Sequence, residues 1–199
     1  MRQVVAIHGG DAFATHEEYL VFLRDYKIES ADYFKRAPDW KANLQAALGA
    51  DYEVLLPQMP NKWDAKYDEW KLWFEKMFPF LRDDLVLVGH SLGGSFLTRY
   101  LSENKFPKNI AATMLVAAPY GPSCEGMLPE FCAPASLALL TQQSNRIFLY
   151  HSEDDVVVPF SELAKYQAEI PNAIVRVFPD RQHFNQPEFP ELVTDIKNL

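Results

Sequence analysis

Residues 85–101, LVLVGHSLGGSFLTRYL, join an apolar run to an amphipathic helical pattern through Gly89-His90-Ser91-Leu92-Gly93. This joint constrains the fold more than any other stretch. A strand that turns at once into a helix brings its residues against the backbone of the turn. Glycines two before and two after the apex remove the Cβ atoms that would collide there. The apex is Ser91, and such an elbow projects the serine hydroxyl beyond the sheet on a strained backbone. The helix that follows aims free N–H groups and its positive end at the same spot, so an anion forming beside Ser91 would be stabilised. A Gly-x-Ser-x-Gly pentapeptide arises by chance in about one chain in fifteen of this length. The strand before it and the helix after it are what give the motif meaning.

The rest of the chain alternates in the same way. Short apolar runs at 3–7, 52–56, 85–88, 112–116, 146–150 and 173–178 read as strands, several apolar at consecutive positions as in strands covered on both faces. Helical patterns occupy 15–26, 40–48, 64–81, 95–103, 160–169 and 187–197. Thr15 and Glu18 have capping-box spacing. The 40–48 helix follows Pro38 and stops at Gly49. Strands separated by helices imply βαβ units, hence an α/β fold: a mostly parallel sheet of about six strands with helices on both faces. No repeat, low-complexity tract or linker breaks the 199 residues, which predicts one domain over 1–199. Ligands of such sheets bind beyond the carboxyl ends of the strands.

Composition excludes several functions. A net charge of −8 argues against nucleic acid, which calls for clustered Lys and Arg. No run of about 18 apolar residues is present to span a membrane. The opening MRQVVAIHGG reads as a strand rather than an export signal, which sets the expectation of a cytoplasmic protein with Cys124 and Cys132 reduced. Two cysteines offer too few ligands for zinc, and neither metal nor cofactor is expected.

A serine hydroxyl is a poor nucleophile without a base, and the base needs an orienting group. The run 146–150 is followed by His151-Ser152-Glu153-Asp154-Asp155, and 173–178 by Pro179-Asp180-Arg181-Gln182-His183. An acid after one strand and a histidine after the next converge with Ser91 if those strands are neighbours. The first strand ends in His8-Gly9-Gly10-Asp11. Backbone N–H groups there, of Gly10 or Asp11, would form an oxyanion hole with that of Leu92. A plain tight turn is the competing reading. His8, Gly9, Asp11 and His90 are candidate pocket residues, with His90 read chiefly as part of the elbow. His16 and His151 read as structural. The stripe Trp63, Tyr67, Trp70, Trp73, Phe74, Phe78 reads as core, with a substrate platform as the alternative.

With IHGGDAF, GHSLGG, HSEDDVVVP and RQHFN in this order, the chain resembles the α/β-hydrolase superfamily over nearly its whole length. It is most similar to the small lidless serine hydrolases related to retinoblastoma-binding protein nine, through HFNQPEFPELVTDI and MPNKWDAKYDEW. The resemblance implies Ser91 as nucleophile and His183 as base. It favours Asp155 as the acid, since Pro159 lies four positions on, with Asp154 as the alternative. It implies hydrolysis of small ester, thioester or amide substrates through an acyl-enzyme, without a cofactor. Gln182 departs from the glycine common there, so the histidine loop is expected to differ.

Residues 11–48 are longer than the resemblance leads one to expect, and are expected to help cover the site. The loop APYGPSCEGMLPEFCAPAS is expected to form a substrate wall. No long insertion follows 112–116, so a large lid is not expected and short acyl chains should be preferred. The competing functions are a non-catalytic interaction module on the same fold, or an acyltransferase.

Overall fold

The computed structural model describes residues 1–35, 38–121 and 129–199. Its centre is a six-stranded sheet in the order β2-β1-β3-β4-β5-β6, with every pair parallel. The strands are β1 (Arg2–Ile7), β2 (Tyr52–Leu55), β3 (Leu85–His90), β4 (Ile110–Val116), β5 (Ile147–Ser152) and β6 (Ile174–Phe178). The helices are α1 (His16–Asp25), α2 (Trp40–Leu48), α3 (Tyr67–Glu75), α4 (Leu92–Glu103), α5 (Ala138–Gln143), α6 (Ser161–Glu169) and α7 (Pro190–Lys197).

The pleat explains the unbroken apolar strands. Val5, Ile7, Leu85 and Leu87 point into one core with Trp70 and Phe74 of α3 and Phe96 of α4. Val4, Ala6, Val86 and Val88, one residue out of phase, enter a second core with Trp40 and Leu44 of α2 and Leu192 and Ile196 of α7. Successive side chains of a strand face opposite sides, so two cores require an apolar residue at each position. This is the three-layer arrangement expected from the sequence.

Several element boundaries, and one whole helix, depart from expectation. The 64–81 pattern is not one helix: α3 ends at Glu75, and Phe78–Phe80 form a 3-10 turn at Pro79. A proline disfavours helical backbone in the residue before it and has no N–H to continue the ladder. The helix after the elbow starts at Leu92, directly after Ser91, rather than at Ser95. The six-residue α5 was not anticipated. Thr15 does cap α1, accepting from the Glu18 N–H at 3.1 Å, while the Glu18 carboxylate reaches the Ala14 N–H. Gly49 ends α2 with φ of 89°, a conformation that favours glycine.

β1 runs on to β2 at one side, and β3 then lies on the other side of β1. The sheet therefore reverses its winding between β1 and β3, where a crevice opens above the strand ends.

Candidate active site

Ser91 stands at the carboxyl end of β3, beside that crevice, with φ of 54° and ψ of −126°. Its N–H donates to the Val116 carbonyl at 2.9 Å, and its own carbonyl accepts from Gly94 and Ser95. Those bonds hold a non-glycine residue in the left-handed region, a strain of about 1–3 kcal/mol. The neighbours must be glycine for lack of room. A Cβ on Gly93 would lie 2.6 Å from the carbonyl oxygens of Ile7 and His8, and one on Gly89 2.6 Å from the Gly93 carbonyl oxygen. The Ser91 hydroxyl makes no capping bond to α4.

Asp155 and His183 come together at the far side. His183 Nδ1 lies 2.9 Å from Asp155 Oδ2. Asp155 Oδ1 accepts the N–H groups of Val157 and Val158 at 2.8 and 2.9 Å. Burial alone would raise this carboxyl's pKa, but the bonds from His183 and the two backbone N–H groups outweigh it and hold the pKa below the usual value. A charged acceptor is what keeps a proton on Nδ1 and leaves Nε2 to do chemistry. Asp154, the alternative acid, points elsewhere: its Oδ1 accepts the Gln182 N–H at 2.8 Å and the Ser152 hydroxyl at 2.6 Å.

Gln182 and Phe184, on either side of His183, both have left-handed backbone, with φ of 47° and 53°. That conformation explains the expectation of glycine at 182. Here the Asp154 carboxylate fixes the turn for a residue with a side chain. Trp40 pins the other end of the loop, its indole N–H donating to the Phe184 carbonyl at 2.8 Å and its backbone N–H to Gln186 at 2.9 Å. The loop thus reaches from the β6 edge back toward β3, and the His183 and His90 rings lie 5.0 Å apart.

His90 is buried. Its Nε2 is 2.8 Å from the His183 carbonyl oxygen and its Nδ1 is 3.2 Å from Lys41 Nζ. Burial first, then the Lys41 cation, holds its pKa well below the ordinary value, so the ring is neutral. It is a loop support as well as part of the cleft wall.

The first loop lies against the serine: a Cβ on Gly9 would sit 2.9 Å from Ser91 Cβ. His8 Nε2 accepts the Met59 N–H at 2.9 Å, so Nδ1 carries the proton and donates to the Gly9 carbonyl at 2.6 Å. Carbonyl and N–H of a trans peptide point in opposite directions, so the Gly10 N–H is turned away from His8. Asp11 does not offer its N–H, which donates to the Lys62 carbonyl at 2.8 Å. That bond engages the Asp11 N–H within the protein itself.

Ser91, His90, His183, His8, Gly9, Gly10 and Asp11 line one cleft of about 610 Å3. Burial raises the Asp11 pKa, with Lys62 and His183 opposing. Phe22 and Tyr26 around α1 form part of the wall, as do Lys41 and Ala42 of α2, so the 11–48 segment does cover the site. Trp63 also stands in this wall, so it leaves the core stripe to which Tyr67, Trp70 and Phe74 belong. Trp73 is exposed as well. Of the 118–136 loop expected to form a wall, no described residue lines the cleft, and residues 122–128, with Cys124, lie outside the described residues. His151 is structural, its Nε2 3.0 Å from the Val158 carbonyl. Among the described residues no group of His, Cys, Asp and Glu is placed to hold a metal, and no helix is long and apolar enough to cross a membrane.

A family model described as serine hydrolase matches residues 34–189. Over 157 residues the chain is 26% identical to serine hydrolase RBBP9 of Rattus norvegicus, covering 74% of this chain and 78% of that protein. The crystal structure of the ydeN gene product of B. subtilis superposes with a TM-score of 0.72 at 19% identity, over 100% of this chain and 98% of that one. A methylesterase, MES16 from Arabidopsis, superposes with a TM-score of 0.59 at 15% identity, over 100% and 98% of the two chains. At such identities both structures speak to the fold, that of the α/β hydrolases.

Proposed function

The chain belongs to the serine hydrolase family, and from that premise we propose that Ser91, His183 and Asp155 cleave compact ester, thioester or amide substrates through an acyl-enzyme. The observation that carries this reading is the Asp155–His183 pair at 2.9 Å, with His183 and Ser91 opening onto one cleft.

In the proposed reaction Ser91 Oγ attacks the substrate carbonyl carbon while His183 Nε2 takes the hydroxyl proton. Asp155 keeps the ring in the Nδ1–H form and stabilises the imidazolium. The carbonyl oxygen becomes an oxyanion, met by the N–H groups of Leu92 and Gly10. His183 then gives its proton to the leaving oxygen, sulfur or nitrogen as that bond breaks, leaving acyl-Ser91. Water enters, loses a proton to His183 and attacks the acyl carbon; the free acid departs and Ser91 regains its proton. The modest cleft and the aromatic cover of Phe22, Tyr26 and Trp63 favour short acyl chains.

A fluorophosphonate probe tests the reading directly. Labelling of the wild type that disappears in Ser91→Ala is the expected result. A wild-type chain that neither labels nor hydrolyses short nitrophenyl esters would sink it in favour of an interaction module. Product analysis with added alcohols or amines identifies the acyl acceptor.

A further inference from the structure

His90 has two ring nitrogens with different partners, and together they allow one protonation state. The His183 carbonyl only accepts, so His90 Nε2, 2.8 Å away, carries a proton. The Lys41 ammonium only donates, so Nδ1, 3.2 Å away, presents its lone pair. Among the described residues His90 is the sole hydrogen-bond donor to the His183 carbonyl. Lys41 is itself held: Asp39 Oδ2 lies 2.6 Å from its Nζ, and Asp39 Oδ1 accepts the N–H groups of Lys41 and Ala42 at the start of α2. Trp40, between these two residues, packs edge-on to the His90 ring and bonds the far side of the histidine loop. One end of one helix therefore supports the loop twice, through Trp40 directly and through Lys41 by way of His90.

We propose that Lys41 is a positioning residue of the hydrolase: by donating to His90 Nδ1 it selects the Nε2–H tautomer of His90, which holds the His183 carbonyl and so keeps the His183 ring in register with Ser91. This inference rests on the catalytic reading of Ser91 and His183 above. The physical need is visible in the loop. The residues on both sides of His183 sit in the left-handed region, so the loop returns to ordinary backbone when its anchors go. In the other tautomer His90 would turn a lone pair to the carbonyl oxygen. The two would repel, and a part-buried carbonyl would be left without a donor. Lys41 also faces the cleft, so direct contact with substrate is the rival role, and the two roles move different constants.

The first measurement is long-range proton–nitrogen NMR of the wild-type histidines near neutral pH. His90 is expected as a neutral ring protonated at Nε2. A ring protonated at Nδ1, or an imidazolium, overturns the proposal, whether or not any variant folds. The second compares Lys41→Met and Lys41→Arg on a short nitrophenyl ester. In Lys41→Met the His90 signals should gain the Nδ1–H form and kcat should fall about tenfold to a hundredfold with KM little changed. Lys41→Arg, still a pure donor, should restore the tautomer and most of kcat. An unchanged tautomer in Lys41→Met, or a rise in KM alone, overturns the proposal and assigns Lys41 to substrate. Failure of the triad is seen separately, as wild-type Ser91 that takes no fluorophosphonate label.

Discussion

The Asp154 carboxylate and the Gln182 N–H, 2.8 Å apart, divide two adjacent aspartates between two tasks. Asp155 turns its carboxylate to the His183 ring, and Asp154 turns its own to the backbone immediately before that ring. Asp154 also takes the Ser152 hydroxyl, whose oxygen accepts the Arg181 N–H at 2.9 Å. One residue thus orients the imidazole while its neighbour fixes the loop that carries it.

Substituting the two separates these tasks. Asp155→Asn keeps an oxygen for Val157 and Val158 but no longer stabilises the Nδ1–H imidazolium. Hydrolysis of a short ester should fall by about four orders of magnitude in kcat. Asp154→Ala should leave the ring pair intact and cost about tenfold to a hundredfold through a loosened loop. Steady-state kinetics on both variants check this, and equal losses would refute the division.

Acid should weaken the fold in two steps of known sign. His90 and His151 are buried with pKa values held below their ordinary 6.5, first of all by desolvation. The unfolded chain then binds protons that the folded chain refuses, so stability is full above pH 6.5 and falls below it. The slope is at most about 1.4 kcal/mol per pH unit for each ring. Asp155, with its pKa lowered, stabilises the fold above the ordinary carboxylate range. That contribution disappears as the pH drops through its folded value. Urea unfolding from about pH 7.5 down to about pH 2 should show the histidine slope first, and Asp155→Asn should flatten only the limb below the ordinary carboxylate pKa.

Gly93→Ala tests the elbow as a matter of space. The new Cβ meets two backbone carbonyl oxygens of β1 and its end at 2.6 Å, and backbone cannot rotate away as a side chain can. Overpacking of this kind costs about 1–3 kcal/mol. A lowered urea midpoint with unchanged m-value is expected, together with loss of fluorophosphonate labelling, since β1 carries the Gly9-Gly10 loop.

Much of this site was legible in the sequence because its signals are local. The elbow announces itself in five residues, and an acid and a histidine after successive strands require only the strand order. What escaped depends on contacts between distant segments. Lys41 is one of 19 Lys and Arg residues and belongs to no motif; only the packing of α2 beside the histidine loop brings it to His90. The bond from His90 to His183 spans 93 positions and ends on a carbonyl, a group every residue has. Local signals failed as well where an element lacks punctuation: α5 has no side-chain cap and six residues. In the sequence Trp63 reads as core because its helical spacing to Tyr67 and Trp70 continues their stripe. The helix begins only at Tyr67, so that spacing has no face to define.

Trp63 then becomes the residue with which to test the size of the substrate. Its ring lies 6.4 and 6.2 Å from those of Phe22 and Tyr26, and all three line the cleft. It is partly exposed and makes no part of either core, so Trp63→Ala should fold normally. Removing the indole lengthens the space available to an acyl chain without touching Ser91, Asp155 or His183. The ratio of kcat/KM for octanoyl over acetyl nitrophenyl esters should rise about tenfold or more, the worth of roughly one or two methylenes in an apolar pocket. Acetyl ester turnover should change little. An unaltered ratio would mean that the acyl chain leaves Ser91 in another direction, and that this wall contacts the leaving group instead.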